Sequence, residues 1–214
     1  MTGSLVVAPL VVAAMGAELG DDLTIPQLLA VAVGAWSVFL VALAIAGKKF
    51  GTGDLFADFS ARFRPIDLIG VPIGVVTQLG LVPLLYLPLK ALWPDTFSSE
   101  RLEERAQDLA DRATGSSAVL LVLIVVVGAP IVEELVYRGL LQRSMASVVQ
   151  AWPAAVFTAI WFSLIHLSPV EYPGLFVAGL VFGAGVAVTN RIGLSIVTHA
   201  AFNATGILIV LSNR

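Results

Sequence analysis

The sequence contains no cysteine and only two histidines among its 214 residues. The missing cysteines exclude disulfide bonds, zinc sites built from thiolates, and a cysteine nucleophile. Charged residues are also scarce, at 13% of the chain, which is about half the share found in an average soluble domain. A net charge of −3 offers no strongly basic surface for nucleic acid. We therefore expect no nucleic-acid partner.

Apolar residues, in contrast, make up 58% of the chain and stand in long blocks. A membrane-spanning helix needs about 20 mostly apolar residues. The blocks predict six spans, at residues 25–46, 67–92, 117–145, 152–168, 172–189 and 192–211. The shorter block at residues 4–19 is a seventh candidate. We predict an all-α, polytopic integral membrane protein with about 6–7 transmembrane helices, forming one membrane domain over residues 1–214.

Residues 94–115 interrupt the apolar pattern. Apolar side chains recur there at helical spacing, and charged residues fill the other faces, with the apolar stripe made of Leu102, Ala106, Leu109 and Ala113. This pattern is typical of an amphipathic helix. We interpret the segment as a solvated connector outside the membrane, held by pairs such as Asp108–Arg112.

The distribution of basic residues indicates the orientation of the chain. Basic loops favour the cytoplasmic side of a membrane, which places Lys48, Lys49, Arg62, Arg64, Arg143 and Arg191 there. The acidic loops then lie outside, and the N-terminus lies inside if residues 4–19 span. The many alanine, glycine and valine residues suggest a bacterial source, so the predicted location is the bacterial cell membrane.

Six polar residues stand inside the predicted spans, where such side chains are costly and by default mark a functional site. They are Glu133, Glu134, Arg138, His166, His199 and Asn203. Glu134 and Arg138 are four residues apart, so they share a helix face and can form a pair. Glu133 points about 100° away from Glu134 and has no local partner.

The two histidines follow the same logic. His199 and Asn203 are four residues apart on one face, and His166 follows Phe162 at the same spacing. Three helices thus each carry one polar stripe, and inside a membrane these stripes are satisfied only by meeting. We expect the three stripes to converge on one site.

A free glutamate, two histidines and an asparagine suit the hydrolysis of an amide. A buried glutamate can act as general base on water, and a neighbouring histidine can share that water and later donate a proton. An asparagine amide and a second histidine can donate hydrogen bonds to the developing oxyanion. This chemistry needs no serine or cysteine nucleophile.

Other interpretations of the same residues stay open at this point. Glu133, His166 and His199 form a His2Glu set that suits catalytic zinc, although the usual HExxH helix is missing. We predict no cofactor, with zinc as the alternative, which leaves a metalloendopeptidase activity uncertain. A membrane histidine can also serve only as a hydrogen bond between helices. A small transporter or proton relay is a further alternative, but no inverted repeat supports it.

Three motifs connect these residues to a known family. The run from Glu133 to Arg138 fits EExxxR, the run from Phe162 to His166 fits FxxxH, and the run from His199 to Asn203 fits HxxxN. In this order and on apolar helices, they resemble the CAAX protease and bacteriocin-processing (CPBP/Abi) family of intramembrane endopeptidases. The resemblance covers residues 117–211.

The resemblance implies a role for each motif residue. Glu133 would activate the water with help from His166, while His199 and Asn203 would form the oxyanion site. Glu134, Arg138 and Phe162 would support and position these groups. The expected partners are the lipid bilayer and a membrane-embedded or membrane-associated protein or peptide substrate. The alternative is a non-catalytic membrane scaffold or bacteriocin-immunity-type protein built on the same core.

Four further residues carry simpler expectations. We expect Gly179 and Gly183, four apart, to form a close-packing helix face. Asp67 lies near a span end and is expected to reach water. Glu171 stands between two prolines and is expected to be a solvated loop residue.

Overall fold

The computed structural model describes residue 12 and residues 23–212, and this part of the chain contains helices and no strands. The helices are α1 Ile25–Phe50, α2 Leu55–Asp58, α3 Pro65–Leu92, α4 Ser99–Arg112, α5 Ser116–Val149, α6 Ala151–Leu164, α7 Tyr172–Thr189 and α8 Gly193–Ser212. The predicted span over residues 4–19 lies outside the described residues except for residue 12. The all-α prediction is confirmed.

Five of these helices are long and apolar enough to cross a membrane: α1, α3, α5, α7 and α8. Helix α6 has 14 residues and ends at Leu164, so the span predicted over residues 152–168 is shorter than expected. The chain turns after this helix because Leu167 adopts a positive φ of 53°. Pro169 follows two residues later and lacks the N–H that a helix would need. His166 therefore lies in a loop just beyond α6.

Two spans contain irregular turns. Helix α3 begins with a 3-10 turn at Pro65–Ile69 and has a π-helical turn at Thr77–Leu81. Helix α5 has π-helical stretches at Leu123–Gly128 and Glu134–Gln142, which flank Pro130. Such π turns are rare and occur frequently at functional sites. In α5 the second stretch begins at Glu134, directly after Glu133.

The polar connector is confirmed as a helix, α4, which begins after Ser98. The Ser98 hydroxyl accepts a hydrogen bond from the backbone N–H of Arg101 at 3.3 Å. Asp108 and Arg112 form the expected i, i+4 ion pair at 2.6 Å. The predicted apolar stripe is wrong in one position, since Ala106 is exposed while Ala110 is buried. The buried residues of α4 lie near its C-terminal end, because this end packs against the starts of α1 and α5.

The basic loops gather at one end of the helix bundle. Arg143 donates a hydrogen bond to the Asn190 side chain at 2.8 Å, and the carbonyl oxygen of Ser60 accepts one from Ile192 N at 3.1 Å. Helix α4 connects α3 to α5 at the opposite end. The basic loops thus lie together at one end, while their placement on the cytoplasmic side stays a prediction.

Asp67 corrects one expectation, because it is only 1% exposed rather than open to water. Its carboxylate accepts hydrogen bonds from Arg191 Nη2 at 2.5 Å and Nε at 3.1 Å, and from Arg64 N at 2.8 Å. The hydrogen bond with Asp67 raises the pKa of the Arg191 guanidinium. The partner is 124 residues away in sequence, so no local pattern shows this burial.

Close helix packing surrounds the C-terminal helices, as the glycine spacing predicts. A Cβ on Gly179 would lie 3.2 Å from Cα of Ala159, and one on Gly183 would lie 3.0 Å from Oε1 of Gln142. A Cβ on Gly74 would collide with the carbonyl oxygen of Thr198. Helix α7 thus packs directly on α6, and α3 packs directly on α8.

Candidate active site

Glu134 links the polar residues of α5 and α8. Its side chain is fully buried, and its Oε1 lies 3.1 Å from Arg138 Nη1 and 2.9 Å from His199 Nδ1. Its Oε2 lies 2.6 Å from the Ser195 hydroxyl. The predicted Glu134–Arg138 pair is therefore present. It is part of a network that also holds His199 in place.

Arg138 is fully buried in an aromatic and polar environment. Its guanidinium carbon lies 4.8 Å from the ring centre of Phe162 and 5.4 Å from that of Phe182. Its Nη2 donates to the carbonyl oxygen of Gly179 at 3.0 Å. A charge removed from water needs such compensation, because an unpaired buried charge is very costly.

A second side chain of α5 repeats this contact with α7 one turn later. Gln142 donates to the carbonyl oxygen of Gly183 at 2.9 Å, and its Oε1 lies 3.4 Å from the Thr158 hydroxyl. Arg138 and Gln142 thus reach two carbonyls that are also four residues apart. The absent side chain of Gly183 leaves space for Gln142, because a Cβ there would lie 3.0 Å from Oε1 of Gln142.

Glu133 is the most open carboxylate of the site. Its side chain is 27% exposed, whereas that of Glu134 is 0% exposed. Oε2 of Glu133 lies 4.0 Å from Nε2 of His199. Within the described part of the chain, no hydrogen bond satisfies the Glu133 carboxylate. The expectation that Glu133 lacks a local structural partner agrees with this geometry.

His199 stands between the two glutamates, with Nδ1 facing Glu134 and Nε2 facing Glu133. Its ring is 4.4 Å from the ring of Phe182, in a stacked arrangement with an interplanar angle of 17°. Phe162 contacts the same ring edge-on at 5.8 Å. An ionised carboxylate can only accept a hydrogen bond. The Nδ1 atom that contacts it therefore carries a proton when Glu134 is ionised.

His166 is connected to the other site residues through its contacts with Phe162. Nδ1 of His166 lies 2.7 Å from the carbonyl oxygen of Phe162. Because a carbonyl oxygen only accepts, Nδ1 donates and Nε2 of the neutral ring is left as an acceptor. The Phe162 ring lies 4.9 Å from the His166 ring and also contacts His199. The two histidines therefore lie on the same phenylalanine ring.

Asn203 lies one turn beyond His199, and its amide already has a backbone partner. Nδ2 donates to the carbonyl oxygen of Val125 at 2.8 Å. Val125 belongs to a π-helical stretch, in which a carbonyl bonds to the N–H five residues later. That residue is Pro130, which has no N–H. One amide hydrogen of Asn203 thus satisfies a carbonyl that the proline leaves free, and the second hydrogen stays available.

Ser195 and Gln142 belong to this network but were not predicted from the sequence. Ser195 precedes His199 by four residues, and Gln142 follows Arg138 by four, so helical spacing alone carries the signal. Serine and glutamine are common in helices, and this made the signal inconspicuous. Both side chains are nonetheless almost fully buried.

The loop that carries His166 is fixed from two sides. Arg105 of α4 lies 3.7 Å from the Glu171 carboxylate and donates to the carbonyl oxygen of His166 at 3.4 Å. The Tyr86 hydroxyl donates to the carbonyl oxygen of Val170 at 2.8 Å. Glu171 is thus paired and partly buried, which corrects the expectation of a solvated loop residue.

The zinc alternative requires three ligands around one point. Among residue 12 and residues 23–212, no three histidine, aspartate or glutamate side chains are grouped so that they could hold a metal ion. The residues as arranged do not fit a zinc ion, and the absence of a cofactor stays a prediction.

Comparison with protein families supports the motif-based resemblance. Residues 115–205 match the model of the family described as type II CAAX prenyl endopeptidase Rce1-like. No curated protein and no solved structure gave a match. The matched segment contains all three motifs and every residue of the network described above. The match confirms the resemblance to the CAAX protease family and assigns residues 115–205 of this integral membrane protein to that family.

Proposed function

We propose that this protein is an intramembrane endopeptidase that hydrolyses a peptide bond with a water molecule activated by Glu133. The observation that carries the proposal is the 4.0 Å separation of Glu133 Oε2 and His199 Nε2. One water molecule at a usual distance of about 2.8 Å can hydrogen-bond both atoms across this gap. Glu133 is also the carboxylate of the site with the greatest exposure, so water and substrate can reach it.

Glu134 supports this chemistry by holding the His199 ring in place through Nδ1. The Glu134 carboxylate accepts from Nδ1–H, and Nε2–H then points toward the Glu133 side. If both ring nitrogens of His199 carry protons, as the proposed oxyanion contact requires, His199 and Arg138 balance the two carboxylates. Such balance is what a low-dielectric environment requires.

The proposed reaction transfers protons in a simple order. Glu133 removes one proton from the water, and the resulting hydroxide adds to the scissile carbonyl carbon. Nε2–H of His199 and the second amide hydrogen of Asn203 donate to the oxyanion. When the C–N bond breaks, the proton held by Glu133 passes to the leaving nitrogen, and His166 assists through its free Nε2. Water supplies the hydroxyl of the new acid and the hydrogen of the new amine.

The substrate in this proposal is a membrane-embedded or membrane-associated protein or peptide. The matched family is described as a prenyl endopeptidase, and we do not extend that prenyl specificity to this chain. We propose cleavage of a peptide bond without requiring prenylation, at the bacterial cell membrane.

The test uses purified protein in which Glu133→Gln removes the base and keeps the shape. We expect thermal unfolding of this variant to match wild type, and peptide cleavage to fall by about 1,000-fold, within the range of roughly 10²–10⁴ that is common for loss of a general base. Turnover retained by Glu133→Gln would contradict the assigned role. A biological effect that survives both Glu133→Gln and His166→Ala would favour the scaffold alternative.

A further inference from the structure

Helix α3 contains a buried polar atom that no other described residue satisfies. Oε1 of Gln78 is buried and has no hydrogen-bond partner. It lies inside a predicted membrane span, where a buried acceptor depends on donors from neighbouring helices or from a bound molecule. About nine in ten or more buried polar groups in folded proteins have a partner. Among the described residues this acceptor is left free, so it can accept a hydrogen bond from a bound molecule.

The position of Gln78 relates it to the candidate active site. Gly74 and Gln78 are four residues apart on α3, and Gly74 packs on Thr198 of α8. A Cβ on Gly206 of α8 would lie 3.4 Å from Nε2 of Gln78, so the Gln78 amide faces α8 at Gly206. The backbone around Gln78 is a π-helical turn. Such turns are found frequently at functional sites.

Positions along helix α8 give the distance between the Gln78 amide and the polar residues of the candidate active site. His199, Asn203 and Gly206 fall within about 60° of one another around the helix axis. Gly206 is seven residues beyond His199, which corresponds to about 10 Å along the helix. Gln78 therefore lies at the far end of the same polar stripe, toward the α4 side of the bundle.

A peptide can be hydrolysed only where its backbone is exposed, so the segment at the site is extended rather than helical. An extended chain advances about 3.3 Å per residue. Three residues therefore cover the distance from the scissile bond, beside Glu133 and His199, to Gln78. A backbone N–H is the donor that every peptide supplies at such a position.

We propose that Gln78 is a substrate-binding residue whose side-chain carbonyl accepts a hydrogen bond from a substrate backbone N–H about three residues from the scissile bond. This inference rests on the proposed endopeptidase function. It assigns to α3, which lies outside the family match over residues 115–205, a part in substrate binding. A hydrogen bond to the backbone would bind an extended substrate whatever its side chains are.

The first test measures stability and needs no substrate. Gln78→Met replaces the amide with an apolar side chain of similar size, and Gln142→Met makes the same change at an amide that is hydrogen-bonded to Gly183. We expect the midpoint of thermal unfolding of purified Gln78→Met to equal or exceed that of wild type, and that of Gln142→Met to fall. A loss of stability in Gln78→Met as large as in Gln142→Met would overturn the proposal, because it would show a structural partner for Gln78.

The second test measures binding during cleavage. The probe is a synthetic peptide spanning a Glu133-dependent cleavage site, together with a series in which one backbone amide at a time is replaced by an ester. We expect Gln78→Met to raise KM by about 3- to 10-fold with little change in kcat, as expected for one lost hydrogen bond. One ester, about three residues from the cleaved bond, should raise KM by the same factor in wild type and have no further effect in Gln78→Met.

The outcomes separate the two proposals. If Glu133→Gln abolishes cleavage but Gln78→Met keeps the wild-type KM with every ester peptide, the role of Gln78 is wrong while the endopeptidase stands. If Glu133→Gln cleaves like wild type, the endopeptidase mechanism is wrong, and the substrate role of Gln78 is lost with it.

Discussion

Glu134 and His199 are joined directly across 65 residues of sequence, with 2.9 Å between Oε1 of the carboxylate and Nδ1 of the imidazole. The same carboxylate also contacts Arg138 and Ser195. The Glu134–Arg138 ion pair and His199 are thus parts of one buried unit. A change at Glu134 must therefore affect both stability and the orientation of His199.

This relationship predicts a large effect for Glu134→Gln. The change leaves Arg138 buried without its anionic partner, which costs about 3–5 kcal/mol of the free energy of unfolding. Denaturation in detergent micelles followed by circular dichroism measures this loss. The double variant Glu134→Gln with Arg138→Met should recover part of the stability and no activity. Wild-type stability in Glu134→Gln would contradict the described network.

The glycine contacts of α7 predict a position-specific effect of adding one methyl group. Gly183→Ala would place Cβ 3.0 Å from Oε1 of Gln142 and 3.1 Å from Cβ of Ala155. We expect a loss of about 1–3 kcal/mol, as for other overpacked sites. Gly80→Ala is the matched control, because its Cβ would meet only Val76 at 3.9 Å. Equal thermal midpoints for the two variants would show that α6 and α7 pack less closely than described.

The pair of Asp67 and Arg191 predicts that the end of the bundle where the basic loops gather depends on one carboxylate. Asp67→Asn removes the charge that binds Arg191, and we expect a loss of about 2 kcal/mol, below the usual cost of breaking a fully buried pair because the Arg191 side chain is 14% exposed. Urea or detergent unfolding curves measure this change. Glu104→Gln on the exposed face of α4 is the control and should be neutral. If Asp67→Asn leaves the stability unchanged, the Asp67 carboxylate lies in water and not in the buried pair described.

The predicted absence of a cofactor is tested with a zinc chelator. We expect cleavage by the purified protein to continue unchanged in phenanthroline, because the proposed mechanism gives every proton transfer to side chains. The non-chelating meta isomer of phenanthroline controls for effects on the micelle. Inhibition by the chelator alone, reversed by added zinc, would instead assign a metal to Glu133, His166 and His199.

Much of this site could be predicted from the sequence because membrane helices make polar residues conspicuous. Glu134 and Arg138 pair as their spacing predicts, and Phe162 contacts both His166 of its own motif and His199 of the HxxxN motif. Apolar block length also located five spans. These features depend on local spacing and on the high cost of polar groups in lipid.

Contacts between distant segments could not be predicted in this way. The carbonyl of Val125 that binds Asn203, the burial of Asp67 by Arg191, and the hydroxyl of Ser195 on Glu134 each join helices that are far apart in sequence. The π-helical turns could not be predicted either, because the spacing of apolar residues hardly changes when one residue is added to a turn. Helix α6 was predicted too long, since its apolar sequence continues into the loop that carries His166.

The role of Glu133 as the base of a peptidase is tested most directly on protein termini. Mass spectrometry of whole membranes compares these termini between cells that carry wild type and cells that carry Glu133→Gln at equal expression. We expect new termini that are present with wild type and absent with Glu133→Gln, and these also identify the substrate. Identical sets of termini, with both proteins folded and equally abundant, would contradict the proposal that this protein is an endopeptidase.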